Sequence, residues 1–97
     1  MNLNSVVSIP ANVMARRVGE EVVVLDLSGG QYFGLPVVGG RIWELLVDGK
    51  SLREASEVIA SEFEVDPLTA ERDLVRLVED LCCKGLLVTT DTMFQTS

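Results

Sequence analysis

The stretch EVVVLDLSGGQYFGLP, residues 21–36, decides how the rest of the chain is read. Glu21 to Leu27 is dense in β-branched and apolar residues, which suit a pleated, half-buried surface. Ser28-Gly29-Gly30 is a turn signal that admits a positive φ. Gln31 to Leu35 resumes as a second strand, and Pro36 breaks the pattern. Upstream, Val13 to Val18 reads as a further strand, joined through a turn at Gly19-Glu20-Glu21. Three strands on short connections make an antiparallel meander.

Downstream of Pro36 the apolar spacing changes to that of helices. Over residues 37–48, Val38, Ile42, Leu45 and Leu46 share one stripe with Trp43 beside it, and Gly49 stops the helix. Gly39 and Gly40 are poor helix formers, so a pair of them at a helix start predicts close backbone approach. The second helix spans about 52–63, and Ser51 with Glu54 forms a capping box ahead of it. The third spans about 67–84, with Asp66 as N-cap, Pro67 at the first helical position and Gly85 as the stop. Its apolar face is broad: Leu74, Leu77, Val78 and Leu81 form one stripe, and Val75, Val78 and Cys82 a second. Leu86 to Val88 can close the unit as a short strand. The expectation is an α+β fold, a winged helix-turn-helix with a three-stranded antiparallel sheet followed by three helices. The expected organisation is a flexible lead-in over 1–11, one domain over 12–88 and a flexible tail over 89–97.

Composition narrows the chemistry. The chain has 97 residues, 47% hydrophobic, which suits one domain with a modest core and is too apolar for a disordered chain. No run approaches the ~20 apolar residues of a membrane span, and the N-terminus lacks the pattern of a secretory signal. A soluble cytoplasmic protein without a membrane partner is expected. Histidine is absent, which removes the commonest general base and the His-containing triads and zinc sites. The two cysteines, Cys82 and Cys83, are adjacent in a helix and point about 100° apart, so they read as two reduced thiols. No glycine-rich phosphate cradle is present. No catalytic residue, metal or cofactor is expected, and the chain is not read as an enzyme.

A helix-turn-helix invites a DNA reading, and charge decides against it. The formal net charge is −7, whereas a DNA binder carries a basic footprint. On the third helix Arg72, Arg76 and Lys84 stand against Glu71, Asp73, Glu79 and Asp80, so no basic face forms. The strand Gln31–Leu35 falls at the sheet edge if the meander order holds, and it bears no lysine or proline to block further pairing. A peptide can add there as another strand, with the third helix as the far wall of a groove. The candidate peptide-binding residues are Gln31, Tyr32, Phe33, Gly34 and Leu35 on the strand, with Arg72, Val75, Arg76, Glu79 and Cys83 on the helix. Leu74, Leu77, Leu81 and Phe33 itself are read first as core. An open edge also permits a weak dimer beside the monomer.

The run from Val23 through Leu35 resembles the first signature of the PqqD-like family. So do Val38-Gly39, Ile42-Trp43-Glu44-Leu45-Leu46 and Gly49, and then Phe63 to Asp66, Asp73-Leu74, Leu81 and Lys84 to Leu87. The resemblance covers about residues 13–88. It implies a recognition element for ribosomally made, post-translationally modified peptides, a RiPP recognition element. Such a protein binds the leader of a precursor peptide as a strand beside the third strand. The YFGL run looks most like the standalone leader-binding protein of lasso-peptide pathways, whose partner is a separate cysteine-protease-type leader peptidase. The alternatives are a peptide chaperone of the PQQ-biosynthesis type, serving a radical-SAM enzyme, and a winged-helix DNA-binding regulator. One position departs from the family: Pro36 stands where asparagine commonly caps the first helix. Proline supplies no side-chain cap, so the helix start is open to question.

Overall fold

A computed structural model describes residues 3–89. Its elements are β1 (Val7–Ser8), β2 (Val13–Val18), β3 (Glu21–Asp26), β4 (Gln31–Leu35), α1 (Val37–Val47), α2 (Leu52–Glu62), α3 (Pro67–Cys83) and β5 (Val88–Thr89). The main sheet is antiparallel in the order β2-β3-β4. Three strands followed by three helices give the winged-helix-like α+β fold expected from the sequence.

The helix ends follow their local chemistry. The Ser51 hydroxyl accepts from the Glu54 N–H at 3.1 Å, and the Glu54 carboxylate accepts from the Ser51 N–H at 2.9 Å. The Asp66 carboxylate accepts from the N–H groups of Leu68 and Thr69 at 3.1 and 3.2 Å, and Pro67 follows at the first helical position. These bonds satisfy donors that the first turn of a helix otherwise leaves unpaired. Pro36 does not displace the start of α1. It is the N-cap in an extended conformation without a side-chain cap, and its carbonyl accepts from the Gly40 N–H at 2.7 Å. The fixed φ of proline fits the turn into the helix.

Val22 and Val24 of β3 and Leu35 of β4 point inward to meet Ile42, Trp43, Leu45 and Leu46 of α1. Leu52, Ala55 and Ile59 of α2, Leu74, Val78 and Leu81 of α3, and the following Leu86 and Leu87 complete this core. The glycine pair of α1 divides in role. A Cβ on Gly40 would lie 3.0 Å from Val22 Cγ2 and 3.3 Å from the Val22 backbone nitrogen. A Cβ on Gly39 would meet only ordinary contacts, 3.6 Å from Leu35 and 3.7 Å from Leu77. Close approach of helix to sheet therefore belongs to Gly40.

The segment read as a lead-in carries structure of its own. The carbonyls of Ser5 and Leu3 accept from the N–H groups of Leu52 and Arg53 at 3.0 and 2.7 Å, closing the start of α2. Ser5 is buried, and Leu3, Val7 and Ile9 pack against the core. β1 then pairs antiparallel with β5, Val7 opposite Thr89 and Ser8 opposite Val88. The closing strand thus lies at Val88–Thr89, and Thr89 is buried within it. The rest of the expected tail, residues 90–97, lies outside the described residues.

Side-chain ion pairs tie the layers at the surface. Arg17 of β2 pairs with Glu44 of α1, and Arg41 of α1 grips Glu62 of α2 through two bonds of 2.9 and 2.8 Å. The Arg41 bonds hold the Glu62 carboxyl below its usual range. A backbone N–H bond from Ser51 does the same for Glu54.

Two outcomes follow from this packing. Gly40→Ala lowers the unfolding free energy by about 1–3 kcal/mol in urea titrations, because the Val22 backbone cannot give way. Gly39→Ala is neutral or stabilising by up to about 1 kcal/mol. As to acid, a carboxyl with a folded pKa below its unfolded value stabilises above the unfolded value. That contribution is lost as pH falls through the folded one. The urea midpoint therefore drops as pH is lowered below about 4, and Glu62→Gln makes the drop shallower.

Candidate peptide-binding groove

Among the described residues β4 has a hydrogen-bonding partner on one side only, where β3 is its neighbour in the sheet. Its hairpin is fixed by Asp26. The Asp26 Oδ1 accepts from the Ser28 hydroxyl at 2.8 Å, the Ser28 N–H at 3.1 Å, the Gly29 N–H at 3.3 Å and Asn12 Nδ2 at 3.1 Å. The Ser28 hydroxyl leads the bonds that hold the Asp26 carboxyl below its ordinary range. Gly30, at φ 69°, takes the left-handed turn into β4. The resulting register sets Tyr32 opposite Leu25, Phe33 opposite Val24 and Gly34 opposite Val23.

The strand period then sorts β4 onto two faces. Phe33 is half-buried and Leu35 buried, on the core side, while Tyr32 and Gly34 are exposed on the other. Tyr32 is 73% exposed. Leu35, at 5% exposure, is a core residue and leaves little surface for a ligand.

α3 lies beside the core-facing side of β4. Leu77 lies at the junction with Gly39 and Leu35, and the Lys84 ammonium stands 5.9 Å from the centre of the Phe33 ring. Lys84 also pairs with Asp80 at 2.7 Å. Asp73, Arg76, Leu77 and Asp80 line an open depression of about 410 Å³ on this flank.

The sequence-predicted helix residues fall elsewhere for the most part. Arg72, Val75, Arg76 and Glu79 line a second depression of about 480 Å³ with Leu68 and Glu71. Val75 is two residues from Leu77, about 200° around the helix, and so faces away from β4. Arg76 borders both depressions. Cys83 is exposed, and Cys82 is a half-buried thiol whose pKa burial pushes up. The structure thus keeps Gln31 to Gly34 on the open edge, with Lys84 over Phe33, Asp80 paired to Lys84 and Leu77 near Leu35 on the flanking helix; the sequence reading put Leu77 in the core and did not select Asp80 or Lys84. Their signal was the spacing of Asp73, Leu77, Asp80 and Lys84 at helical intervals.

The surface of α3 is mixed in sign, with Arg72 and Arg76 among Glu71, Asp73, Glu79 and Asp80. Among the described residues no helix is long and apolar enough to cross a membrane. Nor does any group of three or more His, Cys, Asp or Glu side chains stand ready for a metal ion.

Residues 21–87 match the model of the family described as coenzyme PQQ synthesis protein D. The chain belongs to the PqqD family. Among curated proteins no match is found. Two solved structures share the fold. One is TbiB1 in complex with the TbiA(beta) leader peptide, 44% identical, covering 81% of this chain and 92% of that one with a TM-score of 0.78. The other is a lasso peptide synthetase B1 complexed with the leader peptide, 28% identical, covering 84% and 96% with a TM-score of 0.79. The family match begins at β3 and runs just past α3, so both walls of the groove lie within the PqqD-matching region.

Because Asp26 organises the hairpin, Asp26→Ala should speed amide hydrogen exchange at residues 31–35 more than in α2. Unchanged protection at residues 31–35 in Asp26→Ala would show that the strand pairing holds β4 without the turn.

Proposed function

We propose that this chain is a non-catalytic adaptor that binds the leader of a ribosomally synthesised precursor peptide in lasso-peptide biosynthesis. The observation that carries this reading is the unpaired edge of β4, flanked by α3, in a chain 44% identical to a protein solved with its leader peptide bound. The leader adds to β4 as a fourth strand. Its backbone pairs with free N–H and C=O groups, which provide affinity, and its alternate side chains meet the α3 flank, which provides selection. Leu77 supplies apolar surface there, and Lys84 with Asp80 sets the charge at the Phe33 end.

The recognition core, residues 12–88, is closed by the packed segment before it and by Thr89, and acts in the cytoplasm as a monomer or weak dimer. The adaptor hands the leader to a separate cysteine-protease-type leader peptidase. Holding leader and peptidase together raises the effective concentration of the cleavage site without new chemistry in the adaptor. The mixed charge of α3 favours a peptide over nucleic acid.

Fluorescence anisotropy with a labelled TbiA(beta) leader peptide tests the reading. Saturable binding is expected, weakened about tenfold or more by Leu77→Asp, a loss of at least about 1.4 kcal/mol. Val75→Asp leaves the affinity within about twofold, with thermal melts confirming that both variants fold. Loss of binding in Val75→Asp alone would move the peptide to the opposite flank of α3. Absence of binding by the unaltered chain would overturn the proposal.

A further inference from the structure

Gly34 has no role in the free protein that requires glycine. It sits in the middle of an edge strand without a left-handed φ. A Cβ built on it would meet nothing within 4 Å. A glycine inside a strand weakens it, and often marks a place where a ligand or another chain approaches closely. Neither turn geometry nor internal packing accounts for this one.

The outer face of the sheet shows what could approach. The register aligns Met14, Leu25 and Tyr32 in one row across the three strands, and Arg16, Val23 and Gly34 in the next. The first row is apolar up to the open edge, where Tyr32 is 73% exposed. In the second, the apolar surface stops at the half-buried Val23, and Gly34 leaves a shallow gap beside Tyr32. A strand added to β4 places one residue directly opposite Gly34, with its side chain on this outer face. Val23 lies two strand separations away, about 10 Å between backbones. Only a large side chain crosses that gap, and it crosses freely only if position 34 has no side chain.

We propose that Gly34 is the seat for one large apolar side chain of the leader, which lies over Gly34 against Val23 and Tyr32. This rests on the reading that the leader adds to β4. It assigns a second selection point on the outer face of the sheet, opposite the α3 flank. The leader is thereby read on both of its faces.

The labelled TbiA(beta) leader peptide and its single-alanine variants are titrated against the unaltered chain, Gly34→Ala, Gly34→Val and Leu77→Asp, each also melted thermally. Gly34→Val, with a better strand former, is expected to melt no lower than the unaltered chain and to bind about tenfold or more weakly. Gly34→Ala falls between them, and decides the matter if Gly34→Val does not fold. In the peptide, truncation of one large apolar residue weakens binding to the unaltered chain but costs much less against the Gly34 variant that folds, a non-additive pair. Unchanged affinity in the folded Gly34 variants, with binding lost in Leu77→Asp, would overturn the seat and leave the groove standing. Unchanged affinity in all of them would overturn both.

Discussion

The contact of α1 with β3 at Gly40 and Val22 sets the spacing of the whole unit. With Val22 Cγ2 only 3.0 Å from where a Cβ would stand, no larger residue lets the helix lie so close to the sheet. One residue earlier, Gly39 faces the junction where Leu35 ends β4 and Leu77 of α3 arrives. The depth at which α1 seats therefore fixes where α3 passes the edge strand. The groove between β4 and α3 is a by-product of a packing distance one residue further along the same helix.

That arrangement separates the two demands on β4. Its inward side chains, Phe33 and Leu35, serve the core and the α3 flank, while its outward ones, Tyr32 and Gly34, remain exposed. An edge strand left open is an aggregation liability unless something limits its pairing. Here the edge is five residues long, and the Lys84 ammonium stands beside it at Phe33. The edge is thus short and has a charge beside it, two features that limit its pairing with another chain.

Much of this was legible in the sequence because local signals agreed with one another. The β-branched run at 21–27, the glycines of the turn, the capping box at Ser51 and the Asp66-Pro67 start each mark a boundary through chemistry within a few residues. The β1–β5 pair was not legible in its extent, since two-residue strands have no periodicity and their partners lie about eighty residues apart. Nor was the orientation of α3. Its apolar residues spread around about half the helix, and spacing alone put Leu77 with the core stripe and Val75 among the candidates for the groove wall. In the structure Leu77 lies beside Gly39 and Leu35, and Val75 stands about 200° around the helix from it. Pro36 shows the reverse case: a residue that seemed to threaten α1 fits its start, because the helix needs the proline carbonyl and not a side-chain cap.

The pairing of Val7–Ser8 with Val88–Thr89 has a consequence for how such a unit can be used. It brings the two ends of the described chain side by side, in a sheet separate from the one that carries the open edge. A module whose ends meet can be spliced into a surface loop of a larger enzyme, or permuted, without stretching its host or disturbing its own sheet. The architecture is therefore suited equally to standing alone and to insertion within a longer chain.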